Sequence, residues 1–234
     1  EKQDRMRRDF TANVSHELKT PLTSISGYAE IIREGMVKSE DVGRFAGKIY
    51  EEAQRLITLV EDILNLSHLD EGAPGQERRQ GIDLYALCER AVASLAEAAR
   101  QRGIAISLTG SRQRVDGAEK LLAEIIFNLC DNAIKYNQEN GHVAVSVTRE
   151  GDRVVLTVQD MGIGIPPGET DRVFERFYRV DKSHSKEIGG TGLGLSIVKH
   201  AAAYHDAKIQ LDSQLGRGTR VRVLFPLSQK EAQP

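Results

Sequence analysis

Val143-Ala144-Val145-Ser146-Val147-Thr148-Arg149-Glu150-Gly151-Asp152-Arg153-Val154-Val155-Leu156-Thr157-Val158 decides the fold class. Apolar and polar residues alternate through 143–148 and again through 154–158, the period of two that half-buried strands show. Glu150-Gly151-Asp152 supplies turn chemistry between them, so the stretch predicts an antiparallel hairpin. On its N-terminal side, 121–136 and 84–99 carry helical periodicity and 104–108 reads as a short strand. On its C-terminal side a Gly- and Pro-rich stretch leads to a helix over 193–204. Two last strands, 208–212 and 219–225, flank the turn Gly216-Arg217-Gly218. Helices mixed with antiparallel hairpins predict an α+β sandwich, helices packed on one face of a sheet.

Residues 1–72 have a different texture and no strand signal. They read as two long helices joined by residues 34–41. In the second helix Phe45, Ile49, Leu56, Leu59, Ile63 and Leu66 recur at helical steps on one stripe. In the first, Phe10, Val14, Ile25 and Ile32 make a looser one. Gly35 suits a helix stop, and Ser39 with Glu40 and Asp41 suits an N-cap and first turn. Two such helices cannot bury both apolar faces alone, so pairing with a second copy into a four-helix bundle is expected. The composition of 70–76 is that of a linker. The expected division is therefore 1–72 helical domain, 73–81 linker, 82–228 α/β domain and 229–234 tail.

Composition narrows the function classes. Basic and acidic residues nearly cancel, leaving a net charge of −2, which argues against a general nucleic-acid surface. Cys88 and Cys130 sit in apolar helical contexts, which predicts buried free thiols rather than a disulfide framework or a zinc site. The histidines His68, His142, His184, His200 and His205 show no metal-ligand spacing and are expected at the surface. No apolar run reaches the roughly 18 residues that cross a bilayer. The chain begins at Glu1 inside a charged helical pattern, which reads as a piece of something longer.

Four constellations carry chemistry. The first is Ser15-His16-Glu17-Leu18-Lys19-Thr20-Pro21-Leu22. A lone histidine on a helix is ordinarily solvated or satisfied by a neighbour. Here Glu17 adjoins it as an acceptor for the Nδ1 proton, which frees Nε2 to attack phosphorus. Pro21 interrupts the helical pattern one turn later and predicts a kink. The second is Asn128-Leu129-Cys130-Asp131-Asn132-Ala133-Ile134-Lys135-Tyr136. Asn128 and Asn132 lie four apart, so both amides face one way, and neutral oxygens suit Mg²⁺. Lys135 is placed to meet phosphate charge. The third is Asp160-Met161-Gly162-Ile163-Gly164-Ile165-Pro166, a carboxylate and glycines directly after a strand. The fourth is Gly189-Gly190-Thr191-Gly192-Leu193-Gly194-Leu195-Ser196, which opens a helix and offers backbone N–H groups to an anion. The last three are ordinary turns or helix faces when taken singly.

The first constellation resembles the phosphoacceptor box of histidine kinases over eight residues. All four follow the order and approximate spacing of the histidine-kinase core, whose ATP-binding domain shares its fold with the gyrase, Hsp90 and MutL ATPases. Phe10-Thr11-Ala12-Asn13-Val14 is most similar to the transmembrane phosphate-sensing and cell-wall-sensing kinases. The resemblance implies ATP-dependent phosphorylation of His16, transfer to an aspartate of a response-regulator receiver domain, a homodimer, and a parent anchored in the inner membrane with this part in the cytoplasm. It implies that Asp160 binds the adenine amine beside Gly162, Gly164 and Ile165, and that Tyr136 packs near the base. Asn128 and Asn132 would hold Mg²⁺ while Lys135 and Arg179 approach the phosphates of ATP. Gly190, Gly192 and Gly194 would form the hinge of a nucleotide lid anchored by Phe174 and Phe177, with Thr191 and Leu193 also among the ATP-binding residues. Thr20 would orient a water that dephosphorylates the partner. Asn137-Gln138 departs from the Ser/Thr-Pro often found after the Lys-Tyr pair, and Tyr204-His205-Asp206-Ala207 lacks a glycine common there. A nucleotide-binding scaffold without kinase activity is the alternative, weakened by the intact His16, Glu17, Asn128, Asn132 and Lys135. A gyrase-type ATPase is disfavoured because Asn128 stands where those enzymes carry a general-base glutamate.

Overall fold

The structure is a computed structural model that describes residues 2–70, 77–180 and 190–228. The chain divides into two compact units, Glu1–Leu64 and Asn65–Pro234. Residues 73–76 of the expected linker, together with Gly189, His184 and the 229–234 tail, lie outside the described residues.

The first unit holds helix α1 (Lys2–Arg33) and most of α2 (Val42–Asp70). α1 runs unbroken through Pro21. Pro21 has no N–H to give the Glu17 carbonyl, and the hydroxyls around it turn back on their own helix. Ser15 Oγ donates to Thr11 O at 2.9 Å, Thr20 Oγ1 to His16 O at 3.2 Å and Thr23 Oγ1 to Lys19 O at 2.9 Å. Gly35 ends α1 as expected: at φ 67° it lets its own N–H reach Ile32 O and the Met36 N–H reach Ile31 O. This is the paired 5→2 and 6→1 closure that a left-handed residue permits. Ser39 does not cap α2. It lies inside a 3-10 turn, Ser39–Asp41, that leads straight into Val42. Phe45 of the predicted stripe meets Tyr28 edge to face at 5.8 Å, and Leu59 is buried. Leu22, Tyr50, Ile57, Val60 and Leu64 remain exposed.

In the second unit a five-stranded sheet carries β2 (Ala105–Gly110), β4 (His142–Glu150), β5 (Arg153–Asp160), β6 (Lys208–Gln214) and β7 (Gly218–Pro226) in the order β2-β4-β5-β7-β6. β2 and β4 are parallel and the other pairs antiparallel. The hairpin predicted from 143–158 forms with Glu150 paired to Arg153, around Gly151 at φ 59°. Register aligns the buried side chains into rows: Val145, Val158 and Val221; then Val147, Leu156 and Val223; then Val154 with Phe225. These rows join α3 (Leu84–Gln101), α4 (Glu119–Lys135) and α5 (Gly194–Tyr204) in one core. Each such side chain removed from water contributes about 1.5–3 kcal/mol. Cys88 and Cys130 are buried free thiols in that core, as predicted.

A second sheet, β1 (Arg79–Asp83) paired with β3 (Arg114–Gly117), has no counterpart in the sequence reading. β1 reaches back into residues expected to be linker. It is five residues long with a bulge, too short and irregular to show a period of two.

His205 is not at the surface. It is buried at the end of α5, with Nδ1 donating to Ala201 O at 2.7 Å and Nε2 accepting from the Ala118 N–H at 3.0 Å. A Cβ at Gly117 would fall 2.0 Å from its ring, so only glycine fits beside it. His200 and His142 are half-buried and hydrogen-bonded; His68 is exposed as expected. Asp206 takes the left-handed conformation at φ 52°, a conformation that Asp tolerates better than most residues.

Candidate functional site

Asp160 closes β5. By the alternation of that strand it follows Val154, Leu156 and Val158 on the helix-covered side, at a position that would otherwise be apolar. Burial pushes its carboxyl above the ordinary value of 3.8, and two backbone donors offset part of that rise. Both donors use one oxygen: Oδ1 accepts from Gly162 N at 2.8 Å and from Thr219 N at 3.1 Å. Oδ2 takes no part in these two bonds.

The glycines after Asp160 are required by close approaches. A Cβ at Gly162 would lie 2.1 Å from Tyr136 O, and one at Gly164 would lie 2.1 Å from Gln214 O. Gly218, across the sheet at the start of β7, would strike Asp160 O at 2.2 Å. The turn is tied further by Ile163 N to Tyr136 O at 3.0 Å and Ile165 N to Ser213 Oγ at 2.8 Å. Tyr136 therefore enters the site through the carbonyl that caps α4. Thr219, Gly218 and Ser213 belong to the site and have no local signature that would have found them.

Asn128 and Asn132 project from α4 toward the start of α5. A Cβ at Gly194 would sit 2.7 Å from Asn128 Oδ1 and 3.8 Å from Asn132 Nδ2, so the glycine leaves a hollow beside the amide pair. Asn128 Nδ2 donates to Glu124 O at 2.9 Å, which turns Oδ1 toward that hollow. The Asn128 amide oxygen is a neutral oxygen ligand of the kind that fits Mg²⁺, an ion usually held by few protein ligands. Lys135 does not stand open to phosphate here: its ammonium lies 2.6 Å from Asp131 Oδ2 on its own helix.

Phe177, in the segment after the 3-10 turn Arg172–Phe174, has φ 62°, uncommon for a bulky side chain. Its N–H donates to Gly192 O at 2.9 Å, and a Cβ at Gly192 would lie 2.9 Å from the Phe177 carbonyl carbon. The structure thus brings Phe177 and Gly192 together. Thr191 Oγ1 accepts from Leu193 N at 3.3 Å. The Leu193 side chain is fully buried, so this residue meets the site through its backbone only. Arg179, Ile165 and Gly190 are half-buried along the same segments. In the first unit His16 and Thr20 are exposed on α1 and Glu17 is half-buried between them.

The second unit thus holds a half-buried carboxylate in a glycine turn and an amide pair at a helix start, and the first unit an exposed histidine on α1. Residues 6–72 match the His Kinase A (phospho-acceptor) domain, and residues 117–229 match the Histidine kinase-, DNA gyrase B-, and HSP90-like ATPase family. The chain is 41% identical over 221 residues to the Sensor-like histidine kinase SenX3 of Mycolicibacterium smegmatis, an alignment that takes in 94% of this chain and 57% of that protein. Full-length ShkA in complex with AMPPNP shares 27% identity at a TM-score of 0.68 over 94% of this chain and 46% of that one. ThkA in complex with the response regulator protein TrrA, at 22% identity, is alike in fold, with a TM-score of 0.75 over 95% of this chain and 62% of that one. This chain belongs to the two-component sensor histidine kinases and carries their phosphoacceptor and ATP-binding domains. It spans little more than half the length of the SenX3 relative.

Proposed function

We propose that this chain uses ATP to phosphorylate His16 and passes the phosphoryl group to an aspartate of a response-regulator receiver domain. The observation that carries the proposal is the Asp160 carboxylate, one oxygen fixed by two backbone donors and the other left for the amine of adenine. His16 Nε2 attacks the γ-phosphorus in line, the bond to the bridging β,γ-oxygen breaks, and ADP leaves. Glu17 accepts the Nδ1 proton. Transfer of this kind depends mainly on positioning and charge stabilisation. Asn128 and Asn132 would hold Mg²⁺, which supplies charge to the phosphate oxygens when bound. Arg179 and Lys135 approach those oxygens, Lys135 by leaving Asp131. Gly190, Gly192 and Gly194 act as hinge residues next to the Phe174 and Phe177 anchors. The phosphoryl group on His16 is a phosphoramidate, reactive enough to move on to a carboxylate. Thr20 serves the reverse duty, orienting a water against the partner's acyl phosphate.

Residues 1–72 are the phosphoacceptor and dimerisation domain in this reading, 73–81 the linker and 82–228 the ATP-binding domain. The exposed Leu22 of α1 and Tyr50, Ile57, Val60 and Leu64 of α2 support a homodimer through the helical hairpins. The parent protein is proposed to be anchored in the inner membrane with this region on the cytoplasmic side. Among the described residues no helix is long and apolar enough to cross a membrane, so the anchor would belong to another part.

Incubation with γ-labelled ATP tests the proposal. Acid-labile, base-stable label on the protein is expected, absent from His16→Gln, which should still bind ATP. Thr20→Ala should label within a few-fold of the parent, because the ATP-binding domain supplies the chemistry of the forward step. Label retained on His16→Gln, or free phosphate without labelled protein, would overturn it.

A further inference from the structure

Gln138 lies two residues past the cap of α4 and is exposed. Its Nε2 donates to Met161 O at 2.6 Å and reaches Gly162 O at 3.4 Å. Its own backbone is held. The Gln138 N–H bonds to Asn137 Oδ1 at 3.0 Å, and its carbonyl accepts from Gly141 N at 3.1 Å. Asn137 Nδ2 is tied in turn to Ala133 O on α4 and His142 O on β4. A side-chain donor on a fixed base thus grips the peptides on both sides of Gly162. The Gly162 N–H, together with the Thr219 N–H from β7, sets the direction of the Asp160 carboxylate. The Ile163 N–H, in the same Gly162–Ile163 peptide, is held by Tyr136 O, and Ile165 is tied further along, so what Gln138 adds is its bond to the Met161 carbonyl.

We propose that Gln138 is a positioning residue for base selectivity, holding the Met161–Gly162 peptides so that Asp160 Oδ2 keeps one direction. This rests on the reading of Asp160 as the adenine acceptor. A carboxylate fixed in place attracts the 6-amine of adenine and repels the 6-carbonyl of guanine, whereas one free to rotate does neither well. Discrimination between the two purines therefore depends on the clamp. The departure from Ser/Thr-Pro at 137–138 acquires a purpose, since proline has no donor for the Met161 carbonyl.

The variants are not expected to unfold the protein. Gln138 is outside the core and borders a cavity of about 390 Å³ with Gln101, Arg102, Ile104, Ile134 and Asn140, so other side chains have room. Titration calorimetry of the whole chain with ATP and with GTP is the test, alongside thermal melts without nucleotide. Gln138→Glu keeps the shape and replaces the donor with an acceptor; Gln138→Met removes the polar group. Both should weaken ATP, leave GTP unchanged or tighter, and lower the ATP-to-GTP preference about tenfold at an unaltered melting temperature. Gln138→Lys restores a donor and should return the preference to within about threefold of the parent. A preference unchanged in Gln138→Glu and Gln138→Met would overturn the clamp, as would parallel losses for both nucleotides with a lowered melting temperature. A parent chain that does not prefer ATP to GTP would overturn the adenine reading, and the clamp with it.

Discussion

Asp160 is a charge placed where the strand alternation calls for an apolar side chain, and its chemistry follows from that. Burial holds its carboxyl above the ordinary value of 3.8, so without ligand the charged form costs stability, a cost that appears as pH rises above that value. Asp160→Asn removes this cost but can present an NH₂ to the adenine amine. The expected outcome is ATP affinity weakened by ~1–3 kcal/mol in calorimetry, with the melting temperature of the ligand-free chain at pH 7 unchanged or raised. Unaltered ATP affinity would show that the base is read elsewhere. His205 works in the opposite sense. Burial, which disfavours the charged ring, lowers its value below the ordinary 6.5, and the neutral Nε2 accepts from the Ala118 N–H. The unfolded chain takes up a proton first, so stability is full above pH 6.5 and is lost as pH falls through 6.5 toward the lowered folded value. Melting temperatures from pH 7.5 to 5.5 should fall, and His205→Gln should flatten that part of the profile; equal slopes would remove His205 from the account.

At the scale of elements, α4 and α5 build the site from their ends. The cap of α4 offers the Tyr136 carbonyl to the turn after Asp160, while the start of α5 faces Asn128 and Asn132 across a gap that only glycine leaves open. Gly194→Ala would push its methyl to 2.7 Å from Asn128 Oδ1, and the amide must turn away from its bond to Glu124 O. The expected loss is about tenfold in ATP affinity with Mg²⁺ and almost none without it, at a nearly constant melting temperature. Equal losses with and without Mg²⁺ would place the damage in the helix rather than at the metal. Nearby, Phe177 keeps its left-handed backbone because the Gly192 carbonyl takes its N–H and the Gly192 backbone packs against it. Neither residue could adopt this arrangement without the other.

For the whole molecule, the two units bury apolar surface in different ways. The sandwich encloses its own core between sheet and helices. The helical hairpin leaves Leu22, Tyr50, Ile57, Val60 and Leu64 exposed, apolar side chains that a partner surface would cover. A second copy covers it in the proposed homodimer. Ile57→Glu should then give a monomer in sedimentation experiments where the parent chain is a dimer, with ATP affinity unchanged because the nucleotide residues belong to the other unit. A monomeric parent chain, or an unaffected variant dimer, would place the dimer contact elsewhere.

What could be read from the chain alone is what repeats or recurs locally. The period of two in 143–158 yields the hairpin, the stripe from Phe45 to Leu66 marks a long amphipathic α2, and Gly35 marks the end of α1. The spacing of Asn128 and Asn132 puts both amides on one side of α4. Tertiary structure decided what depends on partners distant in sequence. Thr219 reaches Asp160 across 59 residues, Gln138 reaches Met161 across 23, and Ala118 reaches His205 across 87. It also decided that Lys135 pairs with Asp131, that Leu193 is core, and that the short strands β1 and β3 exist at all. The physical reason is common to these cases. Periodicity reports which side of an element is apolar, but a hydrogen bond between elements requires their ends to meet, and packing of the whole sandwich fixes where they meet.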